Sequence, residues 1–74
     1  MMTPGQCRAA RALINVTLAQ LSEAAVVPVT TIWDFEAELG GVTRAADLEA
    51  ITGALERAGV EFINGDRPGV RLRK

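Results

Sequence analysis

Two short strings, "TPGQ" at Thr3–Gln6 and "TLAQ" at Thr17–Gln20, restrict the fold of this chain more than any other feature. In each, the threonine hydroxyl can accept from the glutamine N–H while the glutamine side chain reaches back to the threonine N–H. Each string therefore starts a helix. Pro4 suits the first helical position, where a missing N–H is harmless. The first helix should run to about Ile14, burying Ala9, Ala12 and Leu13, with Arg8 and Arg11 sharing the opposite side. The second should be short, Leu18 to Ala25, with Leu21 as its core anchor. A third is expected from Pro28 to Leu39, ended by Gly40 and Gly41. Thr43 reads as the cap of a fourth, running from Arg44 to Ala58, in which Leu48, Ile51 and Leu55 recur at the period of one buried face.

After Gly59 the period changes. "VEFI" and "GVRLR" alternate and are joined by "NGDRP", which predicts a β-hairpin with strands near 60–63 and 70–73. A lone hairpin is marginal in water, so it should lie on the helices through Phe62, with Leu72 as a second candidate. The expected class is mostly α. One domain, 1–74, would combine a helical bundle over 3–58 with a hairpin and basic tail over 59–74.

Composition narrows the function. The formal charge is −1 and the pI about 5.3, so overall charge gives no push toward nucleic acid. Histidine is absent, which removes the commonest general base and metal ligand. Cys7 is the single cysteine and reads as a buried thiol, since free cysteine packs as a small hydrophobe. The carboxylates are scattered over polar helix faces, and "GDRPG" is a turn signal, not a phosphate cradle. No enzyme, cofactor or metal is expected. No apolar run approaches the roughly 20 residues that cross a bilayer, and no signal-peptide pattern is visible, so the cytoplasm is the expected location.

Two short helices joined by a tight turn and flanked by capped helices, in "RALINVTLAQLSEAAVVPVTTIWDFE", resemble the helix-turn-helix of Cro/C1-type (XRE-like) regulators. The resemblance spans roughly Thr3 to Ala58. It implies a four-helix bundle in which Leu21, Ala25, Ile32 and Phe35 are core positions and Val27 follows the turn. It also implies that Glu36 pairs with Arg11 of the first helix as a structural tie. A narrower resemblance is to QseM-type antiactivators of conjugative mobile elements.

The chain departs from that family where the family reads DNA. The positions equivalent to its base-reading side chains are Leu18, Pro28, Val29, Thr30, Trp33 and Asp34. Only Thr30 is an ordinary base or phosphate partner, and Asp34 would meet phosphates with like charge. Pro28 to Leu39 contains no lysine or arginine. Val26 stands where the family favours glycine, so the turn is either strained or differently shaped.

Helical geometry makes the departure concrete. At about 100° per residue, Ile32, Phe35 and Leu39 fall within roughly 60° and set the core direction. Val29 then points roughly 90° away and Trp33 roughly 125° away. With Leu18 near both, they would form an exposed apolar patch, and such patches mark binding sites. In the other arrangement the hairpin folds over this face and Trp33 is core, because Phe62, Ile63, Val70 and Leu72 must pack somewhere.

Arg67, Arg71, Arg73 and Lys74 are four of the eight basic residues. They form either a solubilising tail or a phosphate-binding arm, which would give salt-sensitive, sequence-blind affinity. Arg8 is a further candidate phosphate contact. The reading that follows is a transcriptional regulator acting mainly by protein contact, an antiactivator or anti-repressor that binds a larger regulator through Leu18, Val29, Thr30 and Trp33. The alternative is a DNA-binding repressor of the Cro/C1 type that works as a dimer. A toxin–antitoxin antitoxin is a third class. Monomer and homodimer both remain open.

Overall fold

The computed structural model describes residues 2–38 and 43–73. Four helices come first, α1 (Pro4–Ile14), α2 (Leu18–Ala25), α3 (Val29–Ala37) and α4 (Ala45–Arg57), followed by β1 (Val60–Ile63) and β2 (Gly69–Leu72). Both capping boxes form. Thr3 accepts from the Gln6 N–H at 3.1 Å while Gln6 accepts from the Thr3 N–H at 2.8 Å, and Thr17 and Gln20 do the same at 3.0 and 2.9 Å. These bonds satisfy donors that a helix start otherwise leaves unpaired, which is why both helices begin where the two strings place them.

Helix α1 turns a different side inward from the one expected. Its buried residues are Gln6, Cys7 and Ala10, with Ile14 packed at the edge of the core. Ala9 and Ala12 are exposed, and Leu13 is 40% exposed. Small side chains at Cys7 and Ala10 let α1 approach α3 and both strands closely, so long-range partners set its rotation. Arg8 and Arg11 accordingly lie toward α3, not away from the core.

Two helix starts also differ. Thr43 is not the α4 cap. Arg44 occupies that position without a side-chain cap bond, and Asp47 in the first turn complements the positive end of the helix. Pro28 is the N-cap of α3, and Glu38 ends that helix in a left-handed conformation with φ 58°. Leu39, Gly40 and Gly41, the expected core residue and stop, lie outside the described residues.

The α2–α3 turn is strained, as a β-branched residue in this position must be. Val26 adopts φ 57°, ψ 47°, and its side chain is 87% exposed. Val27 behind it is buried, and three bonds hold the turn. The Val26 and Val27 N–H groups both donate to the Ser22 carbonyl, while the Ser22 hydroxyl donates to the Val27 carbonyl. The conformation is over-determined and persists despite its cost.

The hairpin pairs Val60 with Leu72, Glu61 with Arg71, Phe62 with Val70 and Ile63 with Gly69. Alternation puts Val60, Phe62 and Val70 on the helix side, where Val60 is fully buried. Leu72, paired with Val60, remains 42% exposed, so it contributes less than Phe62. The second strand begins at Gly69, one residue earlier than expected. Arg73 follows it and donates its N–H to Gly59, whose φ of +102° redirects the chain from α4 into β1. The hairpin packs mainly on α1 and α4, while α2 joins α3 and α4 around Leu21, Ile32, Ile51 and Leu55. No described helix is long and apolar enough to cross a membrane.

Candidate functional site

Helix α3 works on two sides. Its inner side buries Ile32 and Glu36, with Phe35 half-buried beside them. Glu36 enters the core because its carboxylate is matched there. Arg11 Nε donates to Oε2 and Arg11 Nη2 to Oε1, both at 2.7 Å, a two-pronged bond suited to the guanidinium fork. The Cys7 thiol donates to Oε2 at 3.0 Å. Arg8 donates to the Glu36 backbone carbonyl, and Arg11 Nη1 donates to the Val16 carbonyl at 3.3 Å. One carboxylate thus joins α1 to α3, and through Arg11 it steadies the α1–α2 link.

The titration behaviour follows from these contacts. Burial alone would raise the Glu36 pKa, but the Arg11 hydrogen bonds, the Cys7 bond and the Arg11 charge outweigh it, and the carboxyl lies below its ordinary value. The Arg11 pKa is raised by the same bonds, against the effect of burial. Burial and the Glu36 bond push the Cys7 thiol far above its ordinary range. Cys7 is thereby a protonated structural donor.

The outer side of α3 presents Val29, Thr30, Trp33 and Asp34, all exposed. Val29 is 41% and Trp33 50% exposed, because the hairpin lies against α1 and α4 instead of over this face. Leu18, partly buried, joins Trp33 at an open depression of about 210 Å³ lined also by Arg8, Arg11, Glu36 and Ala37. The structure therefore brings Leu18 and Trp33 together, with Val29 one turn before Trp33 on α3 and outside the depression. Thr30 sits beside Val29 at the helix start. Sequence reasoning missed Arg8 and Ala37 as neighbours of Trp33. Ala37 lies one turn beyond Trp33 and was legible in principle, whereas Arg8 depends on how α1 crosses α3.

Two of the tail cations, Arg71 and Arg73, have intramolecular partners. Arg71 Nε donates to Glu61 Oε1 at 2.6 Å across the hairpin, and Arg73 Nη2 donates to the Glu56 carbonyl at 3.2 Å. Lys74 lies outside the described residues. A second hollow, about 480 Å³, lies on α4 between Met2, Leu48, Thr52 and Gly53, rimmed by Glu49 and Glu56. Its hydroxyl is already used, since Thr52 donates to the Leu48 carbonyl at 2.7 Å. Among the described residues no group of three or more His, Cys, Asp or Glu side chains could hold a metal.

No protein-family model matches the chain, and a search of curated proteins finds no significant relative.

Proposed function

We propose that this protein is a transcriptional regulator of helix-turn-helix type that acts mainly by binding another protein, as an antiactivator or anti-repressor does. In this reading α2 and α3 are the two helices of the motif, and the partner is a larger regulator. The observation that carries it is the outer face of α3. A half-exposed tryptophan and an exposed valine occupy the helix that would read base edges, and none of its residues is basic. Base edges are read by hydrogen-bonding side chains, best by arginine or amides, while tryptophan is among the residues most enriched at protein hot spots.

A second reading, a Cro/C1-type repressor, draws on Thr30 at the exposed start of α3 and on the cations of the hairpin end. One variant separates the two. Trp33→Ala should leave the melt close to wild type, because half of the ring is already in water, yet remove about 2 kcal/mol or more of binding to the regulator. The measurements are a thermal melt and titrations against that regulator and against operator DNA. Normal regulator binding by a folded variant, or salt-dependent operator binding that survives the change, would overturn the protein-contact reading.

A further inference from the structure

The depression beside Trp33 has a definite size and charge. At about 210 Å³ it falls below the roughly 300–1,000 Å³ of small-molecule sites, so it suits a single inserted side chain better than a cofactor. Leu18, Trp33 and Ala37 supply its apolar walls. The three charged neighbours are two guanidinium groups and one carboxylate, which leaves one net positive charge. Arg11 and Glu36 satisfy each other. Arg8 does not share that arrangement. It is exposed, takes part in none of the described ion pairs, and among the described residues spends one donor, on the Glu36 carbonyl. A guanidinium has five N–H donors in a planar fork that fits a carboxylate.

Two residues near Trp33 in the chain carry the opposite charge, and neither lines the depression. Asp34 follows Trp33 on α3 and Glu38 follows the helix end, both exposed. A phosphate backbone crossing this face would meet those carboxylates, whereas a single carboxylate entering the depression would find Arg8, the lining cation not already matched by Glu36.

We propose that the depression receives a protein segment carrying one large apolar side chain with a carboxylate one helical turn away, the side chain against Leu18, Trp33 and Ala37 and the carboxylate on Arg8. This rests on the protein-contact reading and specifies the partner's chemistry. The partner surface is an acidic amphipathic helix.

The test uses the full isotope-labelled chain and two synthetic helical peptides of about 18 residues, long enough to hold a helix. Both carry the same leucine stripe, and they differ only in Glu or Gln one turn from the central leucine. The Glu peptide should shift the Trp33 indole N–H and bind about three- to tenfold more tightly than the Gln peptide at low salt. The preference should fade with added salt, persist in Arg8→Lys and vanish in Arg8→Gln, with folding of both variants checked by their spectra. Equal affinities, shifts confined to another surface, or a preference retained in Arg8→Gln would overturn the proposal. So would a single-stranded oligothymidylate that engages Trp33 more tightly than either peptide, since that would assign the site to stacked bases. If neither peptide moves Trp33 while Trp33→Ala still abolishes regulator binding, the acidic-helix chemistry fails alone. If Trp33→Ala leaves the regulator complex intact, the protein-contact reading fails with it.

Discussion

Replacing Glu36 by Gln keeps the side-chain volume and removes one charge from the centre of the α1–α3 contact. In the native protein three donors converge on the carboxylate: Arg11 Nε, Arg11 Nη2 and the Cys7 thiol. An amide can accept at only one atom, and its NH2 group would face an N–H donor of Arg11. Hydrogen bonds to charged groups contribute about 1.5–3 kcal/mol each, and breaking a fully buried pair costs about 3–5 kcal/mol. Arg11 keeps 22% of its side chain in water and a bond to Val16, so it is partly rehydrated when the carboxylate is lost. The expected loss is therefore about 2–3 kcal/mol, a fall in Tm of about 10–20 °C for a domain of this size. Thermal melts of Glu36→Gln, Arg11→Met and the double variant supply the assay. The double variant should lose less than the sum of the singles by about 1–2 kcal/mol, because both remove the same bonds. Additive losses, or Glu36→Gln within about 0.5 kcal/mol of wild type, would refute the tie.

The same group sets a pH dependence. A carboxyl whose folded pKa is lowered stabilises the fold fully above the unfolded value, about 4.3, and loses that contribution as pH falls through the folded value. The Tm gap between wild type and Glu36→Gln should be constant near neutrality and should narrow below about pH 4. A gap that widens in acid would reverse the assigned sign.

Gln6 holds the hairpin as well as the helix start, because its Nε2 donates to the Ile63 and Gly69 carbonyls at 3.0 and 3.1 Å. Gln6→Leu should cost about 2–3 kcal/mol by thermal melt and speed amide exchange in the hairpin more than in α4. Val26→Gly should raise stability by about 0.5–1 kcal/mol, since it relieves a left-handed valine at little loss of burial and the added chain freedom offsets part of the gain. A lower Tm would show that the turn is unstrained. Cys7 should resist thiol reagents in the native protein at pH 8 and react only as the chain unfolds, because it is buried and its pKa is raised. Rapid labelling without denaturant would contradict that placement.

Local chemistry was legible in the sequence and distant chemistry was not. The starts of α1 and α2 depend on bonds within four residues, so Thr3–Gln6 and Thr17–Gln20 announced them. The phase of α3 was legible too, because Ile32 and Phe35 mark one side and Trp33 is far round from them. The rotation of α1 was not. Ala9, Ala12 and Leu13 form as plausible an apolar line as Cys7, Ala10 and Ile14, and the choice is made by partners far along the chain. Glu36 draws Cys7, Arg8 and Arg11 toward α3, and two hairpin carbonyls draw Gln6 inward. Gln6 as a buried polar residue had no local signature beyond its capping role. The sequence makes Arg8 a phosphate candidate on the far side, and its place beside Trp33 follows from that same rotation.

The rotation bears on how the two functional readings compare. In duplex binding each neutralised phosphate contributes about −0.9 to the slope of log affinity against log salt, and strong salt-sensitive binders make about 6–10 such contacts. Arg11 has its fork closed on Glu36. Arg71 is paired across the hairpin, and the hairpin itself lies on α1 and α4. At the depression beside Trp33 the lining cation not paired to a carboxylate is Arg8, and Asp34 and Glu38 are exposed on the same helix and its end. One net positive charge at the depression supplies roughly one phosphate contact, so the outer face of α3 by itself would hold a phosphate backbone only weakly. It is sufficient for a single carboxylate. The apolar contact of Trp33, Leu18 and Ala37 would then carry the affinity and Arg8 the selectivity, the division of labour expected of a protein-binding surface.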